Sequence, residues 1–459
     1  MTMTSGYGFP NVTETPTPSC TPPPVPSCED TCEFYLCESI PDGMNLDEPN
    51  NSTTKCWLDL LNIAKSNVKI GSYYWSLLLK DSELPANFSD PRNSGQDGQD
   101  IYDGIVATAK RGIRVDIAQN FDTSTSMTWE ATDMEKLSSN IRPFFGIIHT
   151  KSWVVDSRHF YVGSANFDWR SLRQVKELGI LGLNCPCIAQ DVEKIEDTYW
   201  DLGLPDAKIP SSWPESRWVG ARHGNPYVVP QLGATNLDVY VSSSPPEFNA
   251  CGRENDIDAM VKVIDEATEF VHLAVMDYIP ATLYLKENYY FSALDDAIRR
   301  AAFRRVKVKF MMSKWSHTAF EYFGYLHSLA TLNGSLPCTW QVMYETCKPG
   351  TQGEVEVRIF EIPPDGPITD KIYARVQHNK YFVTESTAYI GTSNWSADYW
   401  ITTAGIGVIV RSDNIQGTAP IVSQTQDVFM RDWNSEYATD ISHFDNRGNR
   451  IDPTAKYGV

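Results

Sequence analysis

His149-Thr-Lys151-Ser-Trp-Val-Val-Asp156 and His378-Asn-Lys380-Tyr-Phe-Val-Thr-Glu385 spell one pattern twice, H-x-K-x4-[D/E]. Each copy runs into a turn and a small-residue segment carrying an asparagine, Gly163-Ser164-Ala165-Asn166 and Gly391-Thr392-Ser393-Asn394. The motifs begin 229 residues apart, at 149 and 378, and the asparagines lie 228 apart, at 166 and 394. A hairpin turn absorbs the one-residue difference. The chain's own residue frequencies give about 0.1 chance matches to the bare motif, so a single copy is weak evidence. Two copies with the same tail are strong. The surrounding elements repeat as well. Trp57–Ala64 has helical periodicity, Asn67–Ser76 reads as a buried strand, Ile101–Lys110 as a helix and Ile113–Ala118 as a strand. Ile257–Ala267, Phe270–Tyr278, Leu294–Ala302 and Val306–Met311 follow the same order. Strands alternating with helices predict an α/β fold of two similar lobes related by a pseudo-twofold axis, each a mixed β-sheet flanked by helices.

Outward from the motifs, Pro210, Pro214, Pro226 and Pro230 interrupt regular structure and place a boundary between a first lobe, residues 28–215, and a second, residues 216–459. Residues 1–27 are rich in Thr, Ser and Pro and read as a stalk that cannot bury a core. The 459 residues are 42% hydrophobic and 21% charged, ordinary globular usage that excludes wholesale disorder. No run approaches the roughly 18 apolar residues of a membrane-spanning helix. With 39 Lys and Arg against 58 Asp and Glu, the net charge of −19 argues against broad wrapping of duplex nucleic acid, and leaves room for a small, locally basic site. Ten cysteines and sequons at Asn11, Asn51, Asn87 and Asn333 point to an oxidising, glycosylating compartment. Met1–Cys28 holds no signal-peptide core, so a targeting segment or anchor is expected to be absent from this chain.

The motif spacing has a chemical reading. Strand alternation puts His149 and Lys151 on one face, and His378 and Lys380 likewise. Bringing the two strands together puts two imidazoles and two ammonium groups in one pocket, which suits a phosphodiester. Lysines and the amides of Asn166 and Asn394 hold non-bridging oxygens, one imidazole attacks phosphorus and the other protonates the leaving oxygen. This chemistry requires no metal and no cofactor.

The paired motifs with their G-[S/T]-x-N tails resemble the phospholipase D superfamily, whose members cleave phosphodiesters through a phosphohistidine in a two-lobed α/β fold. Ser72-Tyr-Tyr-Trp75, Gly163-Ser-Ala-Asn-Phe-Asp-Trp-Arg-Ser171, Val175-Lys-Glu-Leu178 and Gly391-Thr-Ser-Asn-Trp-Ser396 resemble in particular the lysosomal phospholipase D-like 5′ exonucleases of animals, over roughly residues 28–440. The resemblance implies a metal-independent 5′→3′ exonuclease on single-stranded DNA or RNA that releases nucleoside 3′-monophosphates, in the lysosomal lumen or secreted. Phospholipid hydrolysis or transphosphatidylation is the alternative, and a homodimer is left open. It also implies that Glu177, eleven residues after Asn166, hydrogen-bonds a catalytic histidine; a merely solvated charge is the other reading. The equivalent second-half position is Gly405, so only the first lobe offers this acid. On that ground His149 is assigned as nucleophile and His378 as general acid, then base for water.

Ser164 and Thr392 in the tails, and the aromatics Tyr74, Trp75 and Trp395 beside the motifs, are candidate substrate contacts. Core packing is the alternative for each ring. Asp156 and Glu385 read as braces of a turn rather than as phosphate ligands. The resembling branch implies that Cys28 and Cys32 cross-link with Cys185 and Cys187, and it leaves the partner of Cys251 open; a zinc site is the rival for Cys185-Pro-Cys187. Cys338 and Cys347 suit a local loop closure. Asn394-Trp-Ser396 is a further sequon, expected to stay unmodified because a glycan there would block the site.

Overall fold

The computed structural model describes residues 20–452, except residues 30, 48–50, 83, 121–139, 145–146, 231–235, 287, 342–345, 349 and 413–419. Most of the expected stalk, residues 1–19 with the Asn11 sequon, lies outside the described residues.

Two large sheets carry the molecule. The first is built from β1 (Glu33–Ser39), β2 (Asn67–Ser72), β3 (Arg114–Asn120), β4 (Asn140–Phe144), β5 (Ser152–Val155), β6 (His159–Gly163) and β7 (Glu177–Leu183), in the order β1-β7-β6-β5-β2-β3-β4. The second holds β8 (Leu237–Ser244), β9 (Phe270–Val275), β10 (Lys307–Ser313), β11 (Glu354–Phe360), β12 (Lys380–Thr384), β13 (Thr387–Gly391) and β14 (Thr403–Arg411), in the order β8-β14-β13-β12-β9-β10-β11. Order and sense repeat strand for strand. Along both of these seven-strand runs the first four pairings are antiparallel, and the last two, β2-β3-β4 and β9-β10-β11, are parallel; Tyr227–Val229 and Ala438–Asp440 extend the second sheet antiparallel at its two ends. The helices repeat too. Helix α1 (Thr53–Ile63) joins β1 to β2, α2 (Gly95–Lys110) joins β2 to β3 and α3 (Pro186–Leu202) follows β7. Their counterparts are α4 (Asp256–Glu266), α5 (Ala293–Phe303) and α6 (Pro420–Trp433). Parallel strands need such crossovers, and α2 lies between the parallel β2 and β3 as α5 lies between β9 and β10.

Both faces of each motif strand are buried, as its near-continuous apolar run requires. In β5, Trp153 and Val155 join the cluster under α1 and α2, while Val154 faces the opposite way into a core that continues through α3 to the second sheet. That shared core explains why the halves form one body. Helix α3, from the first half, packs on β8 of the second, and α6 packs on β1 of the first.

The Pro-rich segment departs from the stalk reading at its end. Cys20 is bonded to Cys251 and Cys28 to Cys187, so residues 20–28 form a strap fixed at both ends, with Val25 packed against the main core. An extended polyproline-type segment has no internal hydrogen bonds to lose, so cross-links at its ends hold it on the surface. At Gly220 a Cβ would come within 2.3 Å of the Pro23 carbonyl oxygen, so the strap needs a glycine beneath it. Cys32–Cys185, Cys37–Cys56 and Cys338–Cys347 complete five disulfides. Their formation removes the zinc reading of Cys185-Pro-Cys187.

Candidate active site

Each motif is held in place by the other half of the chain. Ile147 and Ile148 pair in parallel with Thr403 and Ala404, and the His149 amide donates to the Ala404 carbonyl at 2.9 Å. Across the junction the Lys176 amide donates to the Val376 carbonyl at 2.9 Å and the His378 amide to the Lys176 carbonyl at 2.8 Å. His149 and His378 thereby enter one cavity of about 690 Å³, whose wall also includes Asn166, Asn394 and Glu177. The side chains of Lys151 and Lys380, 0% and 1% exposed, lie behind it, each ammonium donating to the carbonyl of its own motif histidine.

The two imidazoles have different partners. His149 Nδ1 lies 2.9 Å from the Thr392 carbonyl oxygen. A carbonyl only accepts, so Nδ1 carries the hydrogen and a neutral His149 presents its Nε2 lone pair to the cavity. His378 Nδ1 lies 2.8 and 3.0 Å from the two oxygens of Glu177. The acid expected beside the first-lobe site therefore crosses to the second-lobe histidine. The ground on which His149 was assigned as nucleophile is overturned, because the basicity that Glu177 confers belongs to His378. The crossing follows from the strand pairing, since residues 174–176 lead into β7 while bonded to residues 375–378.

Burial dominates the electrostatics. It drives both imidazoles well below the ordinary histidine value, reinforced by the nearby ammonium groups of Lys151 and Lys380. It also lowers the ammonium groups themselves, Lys151 strongly and Lys380 to about 7. In the opposite sense, burial raises Glu177 to about 7 and Asp277 to about 6, against the pull of Lys380. A buried set of ionisable groups pushed towards neutrality is prepared to bind an anion and move protons near pH 6 to 7.

Asn166 donates towards the Tyr74 hydroxyl at 3.4 Å, and Asn394 towards Asp277 at 3.4 Å and the Tyr399 hydroxyl at 3.2 Å. Tyr74 and Asp277 occupy corresponding places just after β2 and β9, so Asp277 was findable by laying Met276-Asp277-Tyr278 over Tyr73-Tyr74-Trp75. Sequence reasoning missed it, along with Tyr399, whose ring centroid lies 5.0 Å from that of His149. Tyr74 does line the cavity. Trp75 and Trp395 do not; both are core rings, one stacked on Phe167 and the other edge-on to Phe310 and Phe382. The next residue along an extended chain turns away from the face its neighbour serves. Ser164 and Thr392 also fail as substrate contacts. Both are fully buried, with the Ser164 hydroxyl bonded to the Leu178 backbone and the Thr392 hydroxyl accepting from the Ile406 amide. Asp156 accepts from the backbone amides of Lys65, Ser66 and Asn67, and Glu385 from those of Thr268, Glu269 and Phe270. Each fixes the turn that starts β2 or β9. Asn394 is buried in the cavity wall, where a glycan has no room.

Comparison with known proteins agrees with this geometry. The family model described as PLD3/4, PLD-like domain matches residues 45–344. The 5'-3' exonuclease PLD3 of Xenopus tropicalis is 40% identical over 423 residues, covering 90% of this chain and 81% of that protein. The Homo sapiens protein of the same name is 37% identical over 434 residues, covering 91% and 82%. The probable phospholipase D F09G2.8 of Caenorhabditis elegans is 38% identical over 429 residues, covering 90% and 72%. The crystal structure of phosphatidylserine synthase from Haemophilus influenzae superposes with a TM-score of 0.50 at 13% identity, over 84% of this chain and 85% of that one, a likeness of fold alone. By its duplicated motif, its repeated sheets and these relatives, the chain belongs to the PLD3/4 family of phospholipase D-like proteins within the phospholipase D superfamily.

Proposed function

We propose that the protein is a metal-independent 5′→3′ exonuclease on single-stranded DNA or RNA, working in an acidic lumen such as the lysosome. The observation that carries this reading is the unequal pairing of the two imidazoles in one cavity, His149 on a neutral carbonyl and His378 on a carboxyl group. His149 stays neutral because burial and two ammonium groups oppose its protonation, so its Nε2 attacks the phosphorus that joins the terminal nucleotide to the next. Glu177 and His378 act as a pair. When the pair takes up a proton, as pH falls below about 7, a hydrogen is placed on His378 Nε2 whichever partner carries the charge. That hydrogen goes to the departing 5′-oxygen as its bond to phosphorus breaks. The intermediate is a phosphoramidate on His149. Water then gives a proton to His378, forms a new bond to phosphorus and displaces His149, releasing a nucleoside 3′-monophosphate. The two asparagines in the cavity wall stabilise the non-bridging oxygens as charge builds, and Lys151 and Lys380 add the field of their ammonium groups from behind that wall. The assignment of nucleophile and acid is thus retained, on a different ground from the one the sequence offered. Attack confined to a strand end requires few cationic contacts, in keeping with the net charge of −19.

The test offers a 5′-hydroxyl oligonucleotide, or phosphatidylglycerol vesicles, at about pH 5 with EDTA. Stepwise release of nucleoside 3′-monophosphates, lost in His149→Ala, is expected. Lipid turnover without nucleotide release assigns the protein to phospholipid chemistry instead. A His378→Ala variant given a labelled nucleoside 3′-(4-nitrophenyl phosphate), whose phenolate departs without a proton, should accumulate acid-labile label on His149, because the base for the water step is missing.

A further inference from the structure

At the cavity rim on the His378 side, three aromatic side chains form a cluster, anchored through Trp315, that the chemistry does not use. The rings of His317 and Tyr373 are parallel, 10° apart in plane with centroids 5.0 Å apart. Trp315 stands 4.5 Å from His317 and 6.1 Å from Tyr373, at 66° to the latter. All three line the same cavity as the histidines, and so does Lys371. Tyr373 is 55% exposed despite these ring contacts. Its backbone is left-handed, at φ 59°, an arrangement that bulky residues seldom adopt. The Ser316 amide donates to Asp370 at 2.9 Å, tying the loop that bears His317 to the turn that bears Tyr373. A ring that is held in place, exposed and strained has been positioned for something other than packing.

Its place relative to the reaction says for what. Trp315 packs against Val175, Met276 and Val376, and Val376 is two residues before His378. His149 is flanked instead by Tyr73 and Tyr399, each with its ring centroid 5.0 Å away. In an in-line displacement the leaving oxygen lies opposite the nucleophile, on the side of the general acid. The leaving strand therefore departs past His378 towards Tyr373. Nucleobases stack on such rings regardless of sequence, and an ammonium beside them suits the next phosphate. Resting on the exonuclease reading above, we propose that Trp315, His317 and Tyr373 form a stacking platform for the base of the second nucleotide, the one that becomes the new 5′ end. Lys371 sits where it meets the phosphate following that base. The platform keeps the shortened strand bound between cuts.

The experiment compares two 5′-hydroxyl oligothymidylates, one complete and one with an abasic residue as second nucleotide, on wild type, Tyr373→Ala and Tyr373→Phe. On the complete strand Tyr373→Ala should lower kcat/KM about tenfold, and Tyr373→Phe, which retains the ring, by less than about twofold. The abasic strand should already be about tenfold poorer for wild type, with Tyr373→Ala adding less than about twofold. Equal losses on both strands, or no loss on either, overturn the platform while leaving the exonuclease reading intact. Failure of wild type to cut either strand overturns the exonuclease reading, and the platform with it.

Discussion

Glu177 and His378 come from different halves of the chain yet are hydrogen-bonded, and the proposed mechanism makes them the pair that sets the pH dependence. Burial raises the carboxyl group to about 7, so it is protonated or paired below that pH and ionised above it. Turnover that needs a hydrogen on His378 Nε2 is therefore present below about pH 7 and lost as pH rises through that value. On the acid side it fails only where His149 protonates, well under the ordinary histidine value. Glu177→Gln preserves the volume and one hydrogen-bond acceptor but no longer stabilises an imidazolium. It should lower kcat by on the order of 100-fold and move the alkaline limb of the profile to lower pH. A pH series of initial rates on an oligonucleotide reads both effects, and an unmoved limb would separate Glu177 from the acid. At this scale the sequence was legible where chemistry fixes residue type. His149, Lys151, His378 and Lys380 could be named because only that combination repeats. The partner of Glu177 could not, because a contact between residues 177 and 378 leaves no local trace.

The corresponding strands differ at one place that matters for the site. Where β7 begins with Glu177, β14 has Gly405, and a Cβ built there would lie 2.1 Å from the Ser393 hydroxyl and 3.0 Å from that of Ser244. The second half thus has no room for an acidic orienter, and His149 takes the Thr392 carbonyl beside this crowded crossing. Gly405→Ala should destabilise the fold by about 1–3 kcal/mol, the usual penalty for overpacking. It should also depress turnover beyond the loss of folded protein, since relief of the clash displaces Ser393 and with it the adjacent Thr392 carbonyl. Thermal unfolding together with activity per folded molecule checks this; a change in melting temperature alone would mean that the carbonyl had not moved. The strands and helices themselves were readable from alternation and periodicity, as were the turn-bracing roles of Asp156 and Glu385. The fate of single aromatics was not. Tyr74 and Trp75 look alike in sequence, and only the direction of the strand sends one into the cavity and the other into the core.

Two sheets with equivalent strand orders become one enzyme through what lies between them, and there the sequence was least informative. Lys176, fully buried, donates to Glu38 on β1 at 2.6 Å and pairs with Asp432 on α6 at 2.9 Å. Arg431 bridges the same two carboxylates, giving a balanced cluster of two cations and two anions at the junction. Lys176 is also the residue whose backbone bonds to Val376 and His378, so the cluster supports the strand that places the second motif. Nothing in the local pattern around Val175-Lys-Glu-Leu178 shows that this lysine is buried; its partners lie 138 residues before it, as Glu38, and on the last helix. Lys176→Met would leave two carboxylates facing one arginine in a dry site. Removing one member of a buried ion pair leaves an uncompensated charge and costs about 3–5 kcal/mol. Urea denaturation should show that loss, and adding Glu38→Gln should recover part of it by removing the excess charge. A Lys176→Met variant within about 1 kcal/mol of wild type would mean that shared apolar core alone holds the halves in register. The cluster would then be a passenger at the junction, and the convergence of the two histidines would rest on α3, α6 and the paired strands around residues 147 and 376.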